Sequence, residues 1–161
     1  MSNANTHDIR VLNGLTRAAI DSSNGYSRAA RETTVPALSS LYEALAVERR
    51  RVATELQGAV RSLGGSPENS GSILAKARRA FSDVTHALIR DEEAVIDPAE
   101  AGDEAMRQRF VQALGDNRIA AETRETLRRL GDSLKLDEMR LRDLQRTLHE
   151  QTSAEHALFP S

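Results

Sequence analysis

Apolar residues recur every three or four positions along almost the whole chain, as in helices that each bury one face. Leu12, Leu15, Ala19, Ser22, Tyr26 and Ala29 set the first stripe and predict a helix over about Asp8–Arg31, with Thr6 as its N-cap. Thr33-Thr34-Val35-Pro36 is a turn, and Pro36 suits the first position of a second helix. That helix runs to Leu63 on the stripe Leu38, Leu41, Leu45, Val52, Leu56, Val60 and Leu63. Its other positions, Glu43, Glu48, Arg49, Arg50, Arg51 and Glu55, read as a solvated charged face. Gly64-Gly65-Ser66-Pro67 stops it.

A polar loop, Ser66–Ser72, precedes a shorter helix over about Ile73–Ile89, built on Ile73, Leu74, Ala77, Phe81, Val84 and Leu88. Two start signals follow, Asp91-Glu92-Glu93 and Asp97-Pro98-Ala99-Glu100, so helix is expected on both sides of a kink or restart near Asp97. It continues through Met106, Phe110 and Leu114 and ends at Gly115-Asp116-Asn117. The last helix, about Arg118–Glu150, carries a seam of Leu127, Leu130, Leu134, Asp137, Leu141, Leu144 and Leu148. Asp137 is its one polar member, either turned to solvent or facing a basic partner on another helix. The pattern predicts an all-α fold: an antiparallel four-helix bundle with an extra short helix in the crossover between the second and third long helices. Residues 1–150 form a single domain on this reading, and 151–161 a flexible C-terminal tail.

Composition narrows the function classes. Among 161 residues, 22 Lys and Arg face 24 Asp and Glu, a net charge of −2, so no basic excess points to nucleic acid or an anionic membrane. The absence of cysteine removes disulfides, zinc fingers and thiol nucleophiles. No apolar run is long enough to span a bilayer, and MSNANTHDIR lacks the basic and apolar regions of a secretory leader, so a cytoplasmic protein is expected.

Several stretches resemble a bacterial family of ferritin-like four-helix-bundle proteins of unknown function. They are Leu12-Asn13 with Asp21 and Gly25-Tyr26, then Glu55-Leu56-Gln57, and above all Leu63-Gly64-Gly65-Ser66-Pro67-Glu68-Asn69-Ser70-Gly71-Ser72. The last is similar to the family's L-G-G-x-P-E-x-S-G-S. Phe81, Glu92-Glu93-Ala94 and Glu100-x-Gly102-Asp103-Glu104-Ala105 continue the likeness, which covers roughly residues 8–145. The resemblance implies the ferritin-like architecture. A stress-related role goes with it only by association.

A ferritin-like fold raises the question of a di-metal centre, which needs a Glu from each of two helices and a Glu-x-x-His pair from each of the others. The sequence has no Glu-x-x-His; its histidines are His7, His86, His149 and His156. Asp21, Glu48, Glu100, Asp103 and Glu138 are the candidates for an all-carboxylate site, although such residues on amphipathic helices are commonly solvated or ion-paired. Asp83-Val84-Thr85-His86 is a near miss to that pattern on the crossover helix, away from the bundle axis, and reads as a surface carboxylate and a partly exposed His. Arg49-Arg50-Arg51 and Lys76-Ala77-Arg78-Arg79 are local basic runs interleaved with acids, and Tyr26 and Tyr42 read as core-edge packing.

No catalytic, cofactor-binding or metal residues are assigned, and no cofactor. The expected function is non-enzymatic: a helical bundle acting by association, as a homodimer or with a protein partner, without nucleic acid or membrane. The dimer would form through Leu141, Leu144 and Leu148, with Asp137 pairing with Arg140 or Arg142 of the other chain. The alternative is a diverged di-iron or di-manganese carboxylate bundle with oxidase or metal-storage activity.

Overall fold

The computed structural model describes residues 3–71 and 98–159. Among these, four helices account for nearly all the chain and no strand occurs: α1 (Asn3–Glu32), α2 (Pro36–Ser62), α3 (Pro98–Leu114) and α4 (Ala121–Leu158). The crossover helix expected over residues 73–89, with Asp83 and His86 and the Lys76–Arg79 run, lies outside the described residues, as does the start signal at Asp91.

α1 begins five residues before the expected Asp8, so Thr6 lies within its first turns and is not its cap. α2 follows the pattern closely. Pro36 occupies the first position, where its missing N–H is not needed, and the chain stops in a Schellman turn. In that turn Gly65 N–H donates to the Val60 carbonyl at 3.0 Å and Gly64 N–H to Arg61 at 2.9 Å. Gly64 has φ of +82°, a left-handed conformation that glycine adopts without strain. α1 and α2 run in opposite directions and in step: Ser39 Oγ donates to the Ala30 carbonyl, and Ser23 Oγ to that of Ala46.

α4 differs most from expectation. It starts at Ala121 rather than Arg118 and continues to Leu158, eight residues past Glu150. Its N-cap residue, Ala120, has no side chain able to cap it. Asp8 of α1 takes that role: its Oδ2 accepts from Ala120 N–H at 3.1 Å and from Thr123 Oγ1 at 2.7 Å. A carboxylate at a helix N-terminus meets both the free N–H groups and the positive end of the dipole.

The interior divides into two apolar clusters. One gathers Leu12, Leu15, Val52, Leu56, Met106, Phe110, Leu127, Leu130 and Leu134. The other gathers Tyr26, Tyr42, Leu45, Ala46, Ala99 and Leu141. α1 and α3 pass close at Gly25, where even a Cβ would stand in ordinary contact, 3.6 Å, with the Ala99 Cα. No described helix is long and apolar enough to cross a membrane.

Candidate functional site

Between the two apolar clusters, each helix places a polar side chain into the interior. α2 contributes Arg49, α3 Asp103, α4 Asp137, and α1 Ser22 and Tyr26, and all five are buried. The guanidinium of Arg49 lies at the centre. Its Nε donates to Asp103 Oδ1 at 2.6 Å and its Nη2 to Asp103 Oδ2 at 3.1 Å, a two-pronged pairing, while Nη1 reaches Asp137 Oδ2 at 2.8 Å. Ser22 Oγ donates to Asp103 Oδ1 at 2.9 Å. The Tyr26 ring lies under the guanidinium, 5.7 Å from it, and stacks on Tyr42 at 5.8 Å.

The electrostatics follow from that arrangement. Burial works against the charge on Arg49, but the hydrogen bonds and fields of Asp103 and Asp137 outweigh it and raise its pKa above the ordinary arginine value. Burial, reinforced by the Asp103 charge, pushes the Tyr26 hydroxyl well above the ordinary tyrosine value. Arg107 sits at the rim, where it pairs with Glu138, with Glu104 at 2.6 Å and, more distantly, with Asp103 at 3.7 Å. One buried cation thus ties together carboxylates from two other helices, and a second cation covers the exit.

This overturns the reading of Arg49-Arg50-Arg51 as a solvated face. Arg50 and Arg51 are exposed, Arg51 between Glu48 and Glu55, whereas Arg49 is fully buried. Helical geometry is the reason: Arg49 follows Leu45 by four and precedes Val52 by three, so it occupies the apolar stripe. Asp137 faces a basic partner, the second of its two readings. That partner is Arg49 of the same chain, with Arg140 of the same chain at 3.6 Å, so the pairing expected with another chain is already satisfied internally. Leu141 is buried beside Tyr26 and Tyr42, and Leu144 and Leu148 are half-buried.

The carboxylates considered for a metal do not converge. Glu48 is tied to Arg51, Glu100 to Gln145, Glu138 to Arg107 and Arg142, and Asp103 to Arg49. Asp21 lies apart, against Gly71. Among the described residues no three His, Cys, Asp or Glu side chains form a group able to hold a metal ion. His7 bonds Asp116 at 2.7 Å at the α3–α4 turn, and His149 and His156 are exposed on α4.

The stretch after α2 has a clear structural task. Residues 65–71 lie along α1 as an extended strap that meets Ile9, Asn13, Arg17 and Asp21, one residue per helical turn. Gly65 passes so close to Ile9 that a Cβ would stand 2.9 Å from two of its carbons. Asn13 acts as a substitute strand: its Nδ2 donates to the Ser66 carbonyl at 3.1 Å, and its Oδ1 accepts from Glu68 N–H at 2.9 Å. Glu68 also pairs with Arg17 at 3.0 Å, and Gln57 Nε2 donates to the Glu68 carbonyl at 2.8 Å. A side chain at Gly71 would collide with the Asp21 carboxylate.

A family model described as Domain of unknown function (DUF2383) matches residues 7–116, which include most of α1 and all of α2, the strap and α3. No curated protein matches the chain.

Proposed function

We propose that this chain, which belongs to the DUF2383 family, is a non-enzymatic helical bundle that works by self-association through the distal end of α4. The architecture we infer is the ferritin-like antiparallel one, with a long crossover between the second and third long helices. Three observations support it: α1 pairs in opposite sense with α2 and with α3, α3 does so with α4, and α1 and α4 run the same way.

The observation that carries the association reading is the length of α4. Asp8 meets Thr123 and Tyr26 lies beside Leu141, which puts the last residue of α1, Glu32, level with about Thr147. The helix goes on to Leu158, roughly 16 Å past the α1–α2 turn at the helical rise. That extension ends in two apolar side chains in water, Leu158 at 74% and Phe159 at 80% exposure. A second copy, paired through the same helix end about a two-fold axis, buries both.

The polar interior supplies the rigidity such a reading needs. Arg49 is out of reach of solvent, and each of its partners already accepts from it. For a carboxylate-bridged metal pair, the residues between α2, α3 and α4 would have to exchange Arg49 and Arg107 for ions. Light scattering on the full chain at high micromolar concentration should report a dimer, and truncation after Thr147 should yield a folded monomer. A full chain that stays monomeric at that concentration refutes the reading.

A further inference from the structure

A groove of about 320 Å³ runs between α1 and α3. Arg10, Gly14 and Arg17 form one wall, spaced by four and three so that they share a face of α1. Arg109 and Gln112 of α3 form the other. The strap closes one edge, since Glu68 holds Arg17 in place.

Gly14 is the key position. Without a side chain there, guanidiniums from two helices lean over the same point: a Cβ would stand 3.8 Å from Arg109 Nη1 and 4.0 Å from Arg17 Nη2. The two cationic tips are therefore at most about 8 Å apart, within the screening length of physiological salt. Arg10 stands one turn along. Among the described residues no hydrogen bond or ion pair engages Arg10 or Arg109. Asp116, at the far end of the groove, is already committed to His7 and to the Arg118 N–H and side chain. Arg28 of α1 and Arg107 of α3 meet carboxylates; here three arginines gather with Glu68 and Asp116 as the only acids beside them among the described residues, on a chain whose net charge is −2.

The geometry points to a binding site for a small phosphate-bearing molecule in this groove, with Arg10, Arg17 and Arg109 as its cationic contacts and Gly14 as its floor. Planar guanidinium forks match phosphate oxygens in pairs, and opposing walls allow one phosphoryl group to be gripped from both helices. The volume leaves room for a second phosphoryl or the group that bears the first. This site is independent of the association proposed for α4.

Inorganic pyrophosphate serves as the probe, titrated into the full chain with backbone amide NMR as the readout. Amide shifts should centre on Gly14 and Arg109 and saturate. Arg10→Gln and Arg109→Gln should each weaken binding tenfold or more, with unchanged unfolding midpoints, because neither side chain holds the fold together. Gly14→Leu should abolish binding without altering charge, by filling the floor. Saturating shifts that are insensitive to Arg109→Gln overturn the proposal, as does the absence of shifts near Gly14. Equal affinity for sulfate at matched ionic strength also overturns it, by reducing the site to a patch of unspecific charge. Binding of duplex DNA or long polyphosphate without pyrophosphate would make the groove an extended polyanion surface and refute the small-ligand assignment.

Discussion

Replacing Arg49 by methionine keeps much of the side chain's volume and removes its charge. Three charge-assisted hydrogen bonds disappear, two to Asp103 and one to Asp137. The two buried carboxylates then keep only longer ion pairs, Asp103 with Arg107 at 3.7 Å and Asp137 with Arg140 at 3.6 Å. Breaking a buried ion pair from one side costs about 3–5 kcal/mol. For a chain of this size that lowers the thermal midpoint by roughly 6–20 °C. The pH dependence is the sharper readout. With the guanidinium gone, the charged form of each buried acid loses its main compensation for burial, so acid conditions should favour the folded variant. Arg49→Met should therefore be more stable at pH 5 than at pH 7, measured by urea unfolding. Exchanging all three charges together, Arg49→Met with Asp103→Leu and Asp137→Leu, should recover most of the loss, since apolar packing can replace a buried ionic cluster. A single variant that loses less than about 1 kcal/mol at pH 7 and shows no recovery on acidification refutes the buried-centre account.

Three further outcomes follow from particular contacts. Asp8→Ala removes the carboxylate that caps α4 and should destabilise the protein by about 1–2 kcal/mol, seen as a lower urea midpoint with unchanged slope. Asn13→Ala breaks both bonds to the strap and should cost about 1–3 kcal/mol, with faster hydrogen exchange at Glu68 N–H as the local marker. Tyr26, whose hydroxyl pKa is raised by burial, favours the folded state below the ordinary tyrosine value near 10 and loses that contribution above it. Alkaline unfolding followed by circular dichroism should thus be delayed in Tyr26→Phe.

The helices were legible because their stripes are long and regular. The break from Leu45 to Val52 in the α2 stripe was the visible trace of the polar centre. Arg49 fills it, but its neighbours Arg50 and Arg51 make the run look like surface. Asp103 was hidden in the same way, inside the acidic stretch Glu100–Glu104, although it keeps step with Ala99, Met106 and Phe110. Only Asp137, alone among leucines, announced itself. No sequence pattern linked the three, because each of the ion pairs spans at least fifty residues of chain. The cap of α4 escaped for that reason too: Asp8 lies 112 residues before Ala120. The strap was visible as a distinctive motif, but its meaning rests on backbone laid against α1, which side-chain spacing does not encode.

The strap also fixes where the crossover is anchored at its start. It leaves at Gly71, beside Asp21, and α3 rejoins with Ala99 against Gly25, one turn further along the same helix. The two attachment points are about 6 Å apart along α1 at the helical rise. The 26 residues between Gly71 and Pro98 thus have both ends anchored about one helical turn apart on α1. Closure entropy grows only slowly with the length of such a detour. Ends so close can be joined by a short Gly-Ser bridge in place of residues 72–97, and Arg49, Asp103 and Asp137 should stay joined in that variant.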